Sequence, residues 1–211
     1  MDNIIYILFV SVSVPILLMA LLMEKRARLP IMFMLFGIFV SVFASEVNGL
    51  LVQMLPMDIY NITVVVTPMS EELLKAMPIL YYAVVISDKK EKLFTASMAT
   101  GVGFAILENA YYLLNYPNFT MISAVIRAFG AGLMHGMCTL LVGVGISFVK
   151  KRRKLFVVGT FGLLSTAIVY HGIYNILIQS KYSMAGALLP IATYIPFLIW
   201  RLRIKYKNNS V

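Results

Sequence analysis

Residues 59–86 have the sequence IYNITVVVTPMSEELLKAMPILYYAVVI, an apolar stretch interrupted near its centre by three charged residues. A helix needs about 20 apolar residues to cross a bilayer, so this stretch is long enough to span a membrane. Glu71, Glu72 and Lys75 lie in its middle, and each charge at that depth costs roughly 2.5–3.5 kcal/mol on insertion scales. The stretch therefore predicts a membrane helix whose charged face is paired inside the protein or lines a water-filled cavity.

The rest of the chain has the same apolar character. Apolar residues make up 61% of the 211 residues and charged residues 13%, against roughly 45–50% and 25% in a soluble domain. Together with 59–86, seven stretches qualify or nearly qualify as membrane spans: about 3–23, 30–53, 59–86, 93–114, 121–148, 155–178 and 186–200. We expect an all-α, polytopic helical bundle that forms a single transmembrane domain over residues 1–211.

The basic residues predict how this bundle is oriented. Fifteen of the 18 Lys and Arg lie in alternate loops, whereas the opposite loops hold only Lys181. By the positive-inside rule, the amino terminus is outside and the carboxyl terminus is cytoplasmic. The net charge of +9 then reflects topology and contact with the lipid bilayer, and we expect no nucleic-acid partner.

More ionisable residues lie inside the predicted spans. They include Glu46, Glu108 and Arg127, and also His135 and His171, the only two histidines in the chain. Because unpaired charges are costly in lipid, we expect the charged residues to face the bundle interior or a water-filled cavity and to be paired or protonated. Helical spacing predicts an i,i+4 ion pair within the third span, from the first glutamate to the lysine. Glu108 could pair with Arg127, which lies at a similar depth on the next span.

Small residues and a proline predict where helices approach closely or break. Gly101 with Ala105, and Gly132 with Gly136, form small-xxx-small pairs, which allow neighbouring helices to come close. Pro68 lacks a backbone donor and should leave a carbonyl free about one turn earlier. Broken helices of this kind are tolerated where they line a cavity.

This combination of residues suits the activation of water. Amide hydrolysis needs a base for water, donors for the tetrahedral oxyanion and a proton for the leaving amine. The candidate catalytic residues are Glu71, Glu72, Glu108, His135 and His171, supported by Lys75, Asn109, Arg127 and Asn175.

A metal ion is an alternative source of water activation. His₂Glu is one of the ligand sets of catalytic zinc, and His135, His171 and Glu108 could supply it. No HExxH motif is present, so such a zinc site would be assembled across helices.

Four motifs, read in order, resemble the PrsW family of intramembrane proteases. They are Glu71-Glu72-Leu-Leu-Lys75, then Gly103-Phe-Ala-Ile-Leu-Glu108-Asn109, then Arg127 with His135 eight residues on, then His171-Gly-Ile-Tyr-Asn175. The resemblance covers about residues 65–180. It implies a site-1 protease in a bacterial plasma membrane that cleaves a single-span anti-sigma factor during envelope stress.

The resemblance and the residues together give each side chain a role. Glu71 is the expected base, with Glu72 and Lys75 as its electrostatic partners. Glu108 and His135 position water or metal, and His171 and Asn175 stabilise the oxyanion. These residues define a catalytic core of about 59–180, and they leave a metal-dependent and a glutamic mechanism both open.

Three alternatives remain at this point. The CPBP group of CAAX proteases also has a double glutamate and a late His-xxx-Asn, but this chain has Glu108 where that group has a histidine. A proton- or ion-coupled transporter could use the same Glu/His/Lys network, although the sequence lacks the internal repeat typical of transporters. A non-catalytic scaffold would use the charges only to hold helices together.

The charge distribution makes a testable prediction about topology. Residues 116–119 should lie outside the cell and residues 150–154 inside. A cysteine at Asn118 should therefore react with an impermeant thiol reagent in intact cells, and one at Lys151 should be protected. The reverse pattern would overturn the orientation.

Overall fold

The computed structural model describes residues 3–115 and 120–209, and these residues form seven long helices and no strand. The predicted loop at 116–119, with Asn118, lies outside the described residues. Six helices are continuous: α1 (Ile4–Leu22), α2 (Lys25–Met54), α4 (Lys90–Asn115), α5 (Met121–Ile146), α6 (Arg153–Ile178) and α7 (Ser183–Asn209). Helix α3 covers 59–86 in four consecutive parts: Ile59–Asn61, Ile62–Val66, Thr67–Tyr81 and Tyr82–Ile86. The all-α prediction is confirmed, and the seven helices fit the seven predicted spans.

Four of the described helices are long and apolar enough to cross a membrane: α1, α5, α6 and α2 from Ala27. Helices α3 and α4 carry more charge, and the apolar part of α7, Ser183–Ile199, is shorter. The predicted last span, 186–200, lies within a longer helix that continues through both of its prolines. Many large apolar side chains face outward, including Leu22, Ile122 and Phe161. Surface of this kind is typical of contact with lipid rather than water.

Helix α3 is wound more loosely than an α-helix in two places. Residues Ile62–Val66 and Tyr82–Ile86 form π-helical turns, in which the Thr67 N–H donates to the carbonyl of Ile62, five residues earlier. In that register the next donor would reach the carbonyl of Thr63, but it belongs to Pro68 and is missing. The Thr63 carbonyl instead accepts a hydrogen bond from Asn175 Nδ2 of α6 at 2.9 Å. The predicted free carbonyl therefore exists, and it joins α3 to α6.

Glycines allow α4 to lie between α2 and α5. A Cβ on Gly103 would overlap the carbonyl of Met34 in α2, and one on Gly101 would overlap the carbonyl of His135 in α5. The predicted Gly132–Gly136 face is only half used: Gly136 packs against the side chain of Met98, whereas a Cβ on Gly132 would meet nothing within 4 Å. The close approach of α4 and α5 thus fixes His135 against the helix that carries Glu108.

The expectation that every intramembrane charge faces the interior is wrong for Glu46. This residue is exposed on α2, and its Oε1 accepts a hydrogen bond from the hydroxyl of Tyr6 on α1 at 2.6 Å. The tyrosine hydroxyl satisfies the carboxylate locally, so Glu46 needs no place in the bundle interior. It takes no part in the cluster described below.

Gly101→Ala should destabilise the bundle. Its Cβ would collide with backbone atoms of α5, so α4 and α5 would have to separate, at a cost of about 1–3 kcal/mol in the free energy of unfolding. Gly132→Ala is the matched control, and it should be neutral or stabilising by about 0.5–1 kcal/mol because alanine favours helix. Thermal melting in detergent micelles measures both, and equal melting temperatures would contradict the close approach of α4 and α5.

Candidate active site

A buried ion pair between Lys75 and Glu72 lies at the centre of the candidate site. Lys75 Nζ donates to Glu72 Oε1 at 2.6 Å, and neither side chain is exposed. The predicted ion pair from Glu71 to Lys75 is wrong, because the lysine pairs with the glutamate three residues before it rather than four. Both spacings bring side chains together on a helix, so neighbouring helices decide between them.

Lys75 also fixes the chemical state of His135. Its Nζ lies 2.8 Å from His135 Nδ1, and because an ammonium group only donates, Nδ1 is the acceptor. In the neutral imidazole the proton is then on Nε2, which lies 2.9 Å from Glu108 Oε2 and donates to it. The ammonium group also lies 4.5 Å from the centre of the Phe104 ring, on α4. Both nitrogens of His135 are therefore engaged in hydrogen bonds.

His171 is bound on one side only. Its Nδ1 lies 2.9 Å from Glu72 Oε1, and since a carboxylate only accepts, Nδ1 donates. Its Nε2 faces Glu71 Oε2 at 3.9 Å, which is beyond hydrogen-bond distance. In the neutral ring Nε2 therefore has a free lone pair directed toward Glu71.

The Glu71 carboxylate has one oxygen held and one free. Oε1 accepts a hydrogen bond from Asn48 Nδ2 on α2 at 3.3 Å, and Asn48 in turn accepts one from Ser70. Oε2 is buried and has no partner among the described residues. Asn48 was not among the predicted site residues; its only signal in the sequence is an amide within an apolar span.

Glu71, His135 and His171 could together hold a metal ion. One ligand atom from each lies within 4.8 Å of the other two, and all three residues are buried. Glu71 Oε2 and His171 Nε2 could bind a metal ion as they stand, because neither has a partner at hydrogen-bond distance among the described residues. His135 would have to give up one of its two hydrogen bonds to bind it. This set has Glu71 where the predicted set had Glu108.

Glu108 lies between His135 and Arg127. Arg127 Nη2 is 3.8 Å from the same oxygen, Oε2, that His135 contacts. The guanidinium group stacks over the ring of Tyr112 at 3.8 Å from its centre. The expected pairing of Glu108 with Arg127 is thus present, but the histidine is the closer partner.

A cavity of about 370 Å³ runs along this cluster. It is lined by Ile59, Thr63, Thr67, Glu71, Glu108, Tyr112, Arg127, Met134, His135, Tyr174, Asn175, Ile178 and Gln179. His171 and Glu72, which contact the cluster, are not among the lining residues. Ile59 and Gln179 are exposed, so the cavity opens where α3 begins and α6 ends. Glu71 and His135 thus line a cavity that opens at the start of α3 and the end of α6.

The two asparagines predicted to support the site have different positions. Asn175 lines the cavity, but one of its amide donors is used on the Thr63 carbonyl. Asn109 does not line the cavity, and its Oδ1 is buried without a partner among the described residues.

Comparison with protein families identifies the chain. The family model of PrsW intramembrane metalloproteases matches residues 25–201. The chain belongs to the PrsW family. Neither the comparison with curated proteins nor that with solved structures finds a match. As a PrsW-family member, the protein is a multi-pass membrane protease whose substrate is a membrane protein in the bilayer, which favours a protease over a transporter or a scaffold.

The PrsW match extends beyond the predicted core of 59–180. It begins at the first residue of α2 and leaves out α1. Helix α2 contributes Asn48, the residue that holds Glu71. In this PrsW-family protein the surroundings of the site therefore include a helix that the sequence motifs do not reach.

Arg127→Ala should lower the stability of the PrsW-family fold. Glu108 would lose its cationic neighbour, and we expect a loss of about 1–3 kcal/mol in the free energy of unfolding. Combining it with Glu108→Gln should recover most of the loss, because glutamine removes the charge and keeps an acceptor for His135. Thermal melting of both single variants and the double variant gives the coupling energy. Strictly additive effects would show that the two residues do not interact.

Proposed function

We propose that this protein hydrolyses a peptide bond of a single-span membrane protein, with Glu71 as the general base. The observation that carries the proposal is the buried, unpartnered Oε2 of Glu71, a residue that lines the cavity; this oxygen faces His171 Nε2 at 3.9 Å. A water molecule between these two atoms could bond to both, because both are acceptors. A carboxylate in such a position is suited to accept a proton from water.

The reaction follows from this geometry in two steps. Glu71 Oε2 accepts a proton from water while the water oxygen attacks the carbonyl carbon, and the π electrons of the carbonyl move to its oxygen. The tetrahedral species collapses when those electrons re-form the double bond and the C–N bond breaks. Glu71 returns its proton to the leaving amine, which gives a carboxylic acid and an amine.

The neighbouring residues position this base. His171 is held by Glu72 through Nδ1, which favours a role in holding water through Nε2 over donation to the oxyanion. Glu72 and Lys75 balance each other's charge. His135, fixed by Lys75 and Glu108, is oriented along the cavity wall. Each group that faces the reacting water is therefore held by a partner on another helix.

The same residues fit a zinc ion. Zinc held by Glu71, His135 and His171 would act as a Lewis acid on the substrate carbonyl. Glu71 would then be a ligand, and Glu108 on the same cavity wall would be the base. The family description as metalloproteases supports this variant, whereas the two hydrogen bonds of His135 support the metal-free one.

The substrate we propose is an anti-sigma factor in a bacterial plasma membrane, cleaved during envelope stress. The PrsW family membership supports it. The cavity opens at the start of α3 and the end of α6. The positive-inside rule assigns both of these helix termini to the outer face of the membrane. Cleavage near that face fits a site-1 protease. A relation to the CPBP group of CAAX proteases stays a prediction from motif order.

The function is tested by proteolysis in liposomes. The purified protein is reconstituted with membrane proteins from the same cells, and new protein ends are mapped with and without a zinc chelator. Peptide bonds cut by the wild type and not by Glu71→Gln identify the substrate. Activity that persists in the presence of the chelator supports the metal-free mechanism. Activity that is lost with the chelator and restored by adding zinc supports the zinc-dependent mechanism. If the wild type cuts nothing, the proposed function is wrong.

Glu71→Gln should abolish cleavage and leave the fold intact. Glutamine keeps an acceptor for Asn48 but cannot take a proton from water, so the rate should fall about 10²–10⁴-fold. Glu72→Gln and Lys75→Ala should act differently, because each leaves one member of a fully buried ion pair without its partner, at about 3–5 kcal/mol.

The measurement is cleavage per folded molecule, with melting temperature and yield recorded for each variant. The expected pattern is normal stability without activity for Glu71→Gln, and reduced stability for the other two. Near-normal turnover by Glu71→Gln would exclude Glu71 as the base.

A further inference from the structure

The hydroxyl of Tyr174 is an unused donor on a residue that lines the cavity. Tyr174 lies on α6, is 3% exposed, and lines the same cavity as Glu71, Glu108 and His135. Its hydroxyl is buried and has no hydrogen-bond partner among the described residues. Buried polar groups are nearly always hydrogen-bonded, so an unpaired hydroxyl beside a catalytic cluster needs an explanation.

The surroundings of the hydroxyl leave room for a small group. Tyr174 follows His171 by three residues and therefore shares its helix face. Gly130 of α5 lies beside Tyr174: a Cβ there would come within 3.3 Å of the hydroxyl oxygen and 3.2 Å of the Ala187 carbonyl of α7. The absence of a side chain at that position keeps the space next to the hydroxyl open.

The hydrolysis proposed above needs donors for the developing oxyanion, and three of the donors in the cluster are already used. The proton of His135 is directed to Glu108 and that of His171 to Glu72. Asn175 spends one amide hydrogen on the Thr63 carbonyl. Two donors on residues that line the cavity have no such partner among the described residues: the O–H of Tyr174 and the Nε–H of Arg127, whose guanidinium group stacks on Tyr112 beside Glu108.

We propose that Tyr174 is a catalytic residue that donates a hydrogen bond to the carbonyl oxygen of the scissile peptide bond. The inference rests on the proposed protease function. The bond strengthens as the oxygen becomes negative during attack by water and weakens again when the C–N bond breaks. The phenol keeps its proton throughout, so the balance of the reaction is unchanged.

Tyr174→Phe tests this role, because it removes only the hydroxyl. The loss of one oxyanion donor should lower kcat about 10²-fold with little change in KM. The melting temperature should not fall, because the hydroxyl has no protein partner whose loss would cost stability. A purely structural tyrosine predicts the opposite: unchanged kcat per folded molecule.

Tyr170→Phe is the matched control, four residues earlier on the same helix. The Tyr170 hydroxyl is 2.7 Å from Thr193 Oγ1 of α7 and does not line the cavity. Its removal should lower the melting temperature by about 2–4 °C and leave kcat unchanged. The two phenylalanine variants should thus separate stability from catalysis.

A donor can also be restored at the same position. Replacing Tyr174 by para-aminophenylalanine returns an N–H donor to the ring, and it should recover part of the kcat lost in Tyr174→Phe. Turnover is measured per folded molecule on the single-span protein that the wild type cleaves, so incomplete folding of a variant does not obscure the result.

The outcomes are distinguishable from failure of the proposed function. If the wild type cleaves its substrate and Tyr174→Phe loses less than about tenfold in kcat, Tyr174 is not catalytic and the protease proposal stands. The same holds if para-aminophenylalanine gives no recovery. If the wild type cleaves nothing, both proposals are overturned.

Discussion

The ammonium group of Lys75 is the charge on which the arrangement of the site depends. It is fully buried and donates to Glu72 on its own helix and to His135 on α5. Glu72 in turn holds His171 on α6, and His135 holds Glu108 on α4. Four helices are therefore connected through one cation. Since an unpaired buried charge costs several kcal/mol, these helices can pack only in an arrangement that satisfies it.

Charged groups can be paired in this way only if the helices come close enough. The glycines of α4 allow backbone contact with α2 on one side and α5 on the other. Gly172 serves the same purpose for α6, where a Cβ would come within 2.9 Å of the Val64 carbonyl. Close packing of helix backbones and the buried polar network thus depend on each other.

Much of this arrangement could be predicted from the sequence, because apolar length, charges within spans and small residues have direct physical meanings. The seven helices could be predicted, and so could the set of buried ionisable residues that cluster between them. The hydrogen-bond partner of each of these residues often could not. Helical spacing allows Lys75 to pair with either glutamate, and the contact of Asn48 with Glu71 comes from another helix. Glu46 found a local partner in Tyr6, which hydropathy alone cannot reveal.

The π turn at Ile62–Val66 makes the length of this segment more important than its composition. Such a turn holds one residue more than the same stretch of α-helix. Winding these same residues as a regular α-helix would rotate the start of α3 by about 100° relative to Glu71. The Thr63 carbonyl would then turn away from Asn175. Valine and isoleucine can therefore replace one another here at little cost, whereas the number of residues between Asp58 and Pro68 sets how the segment is wound.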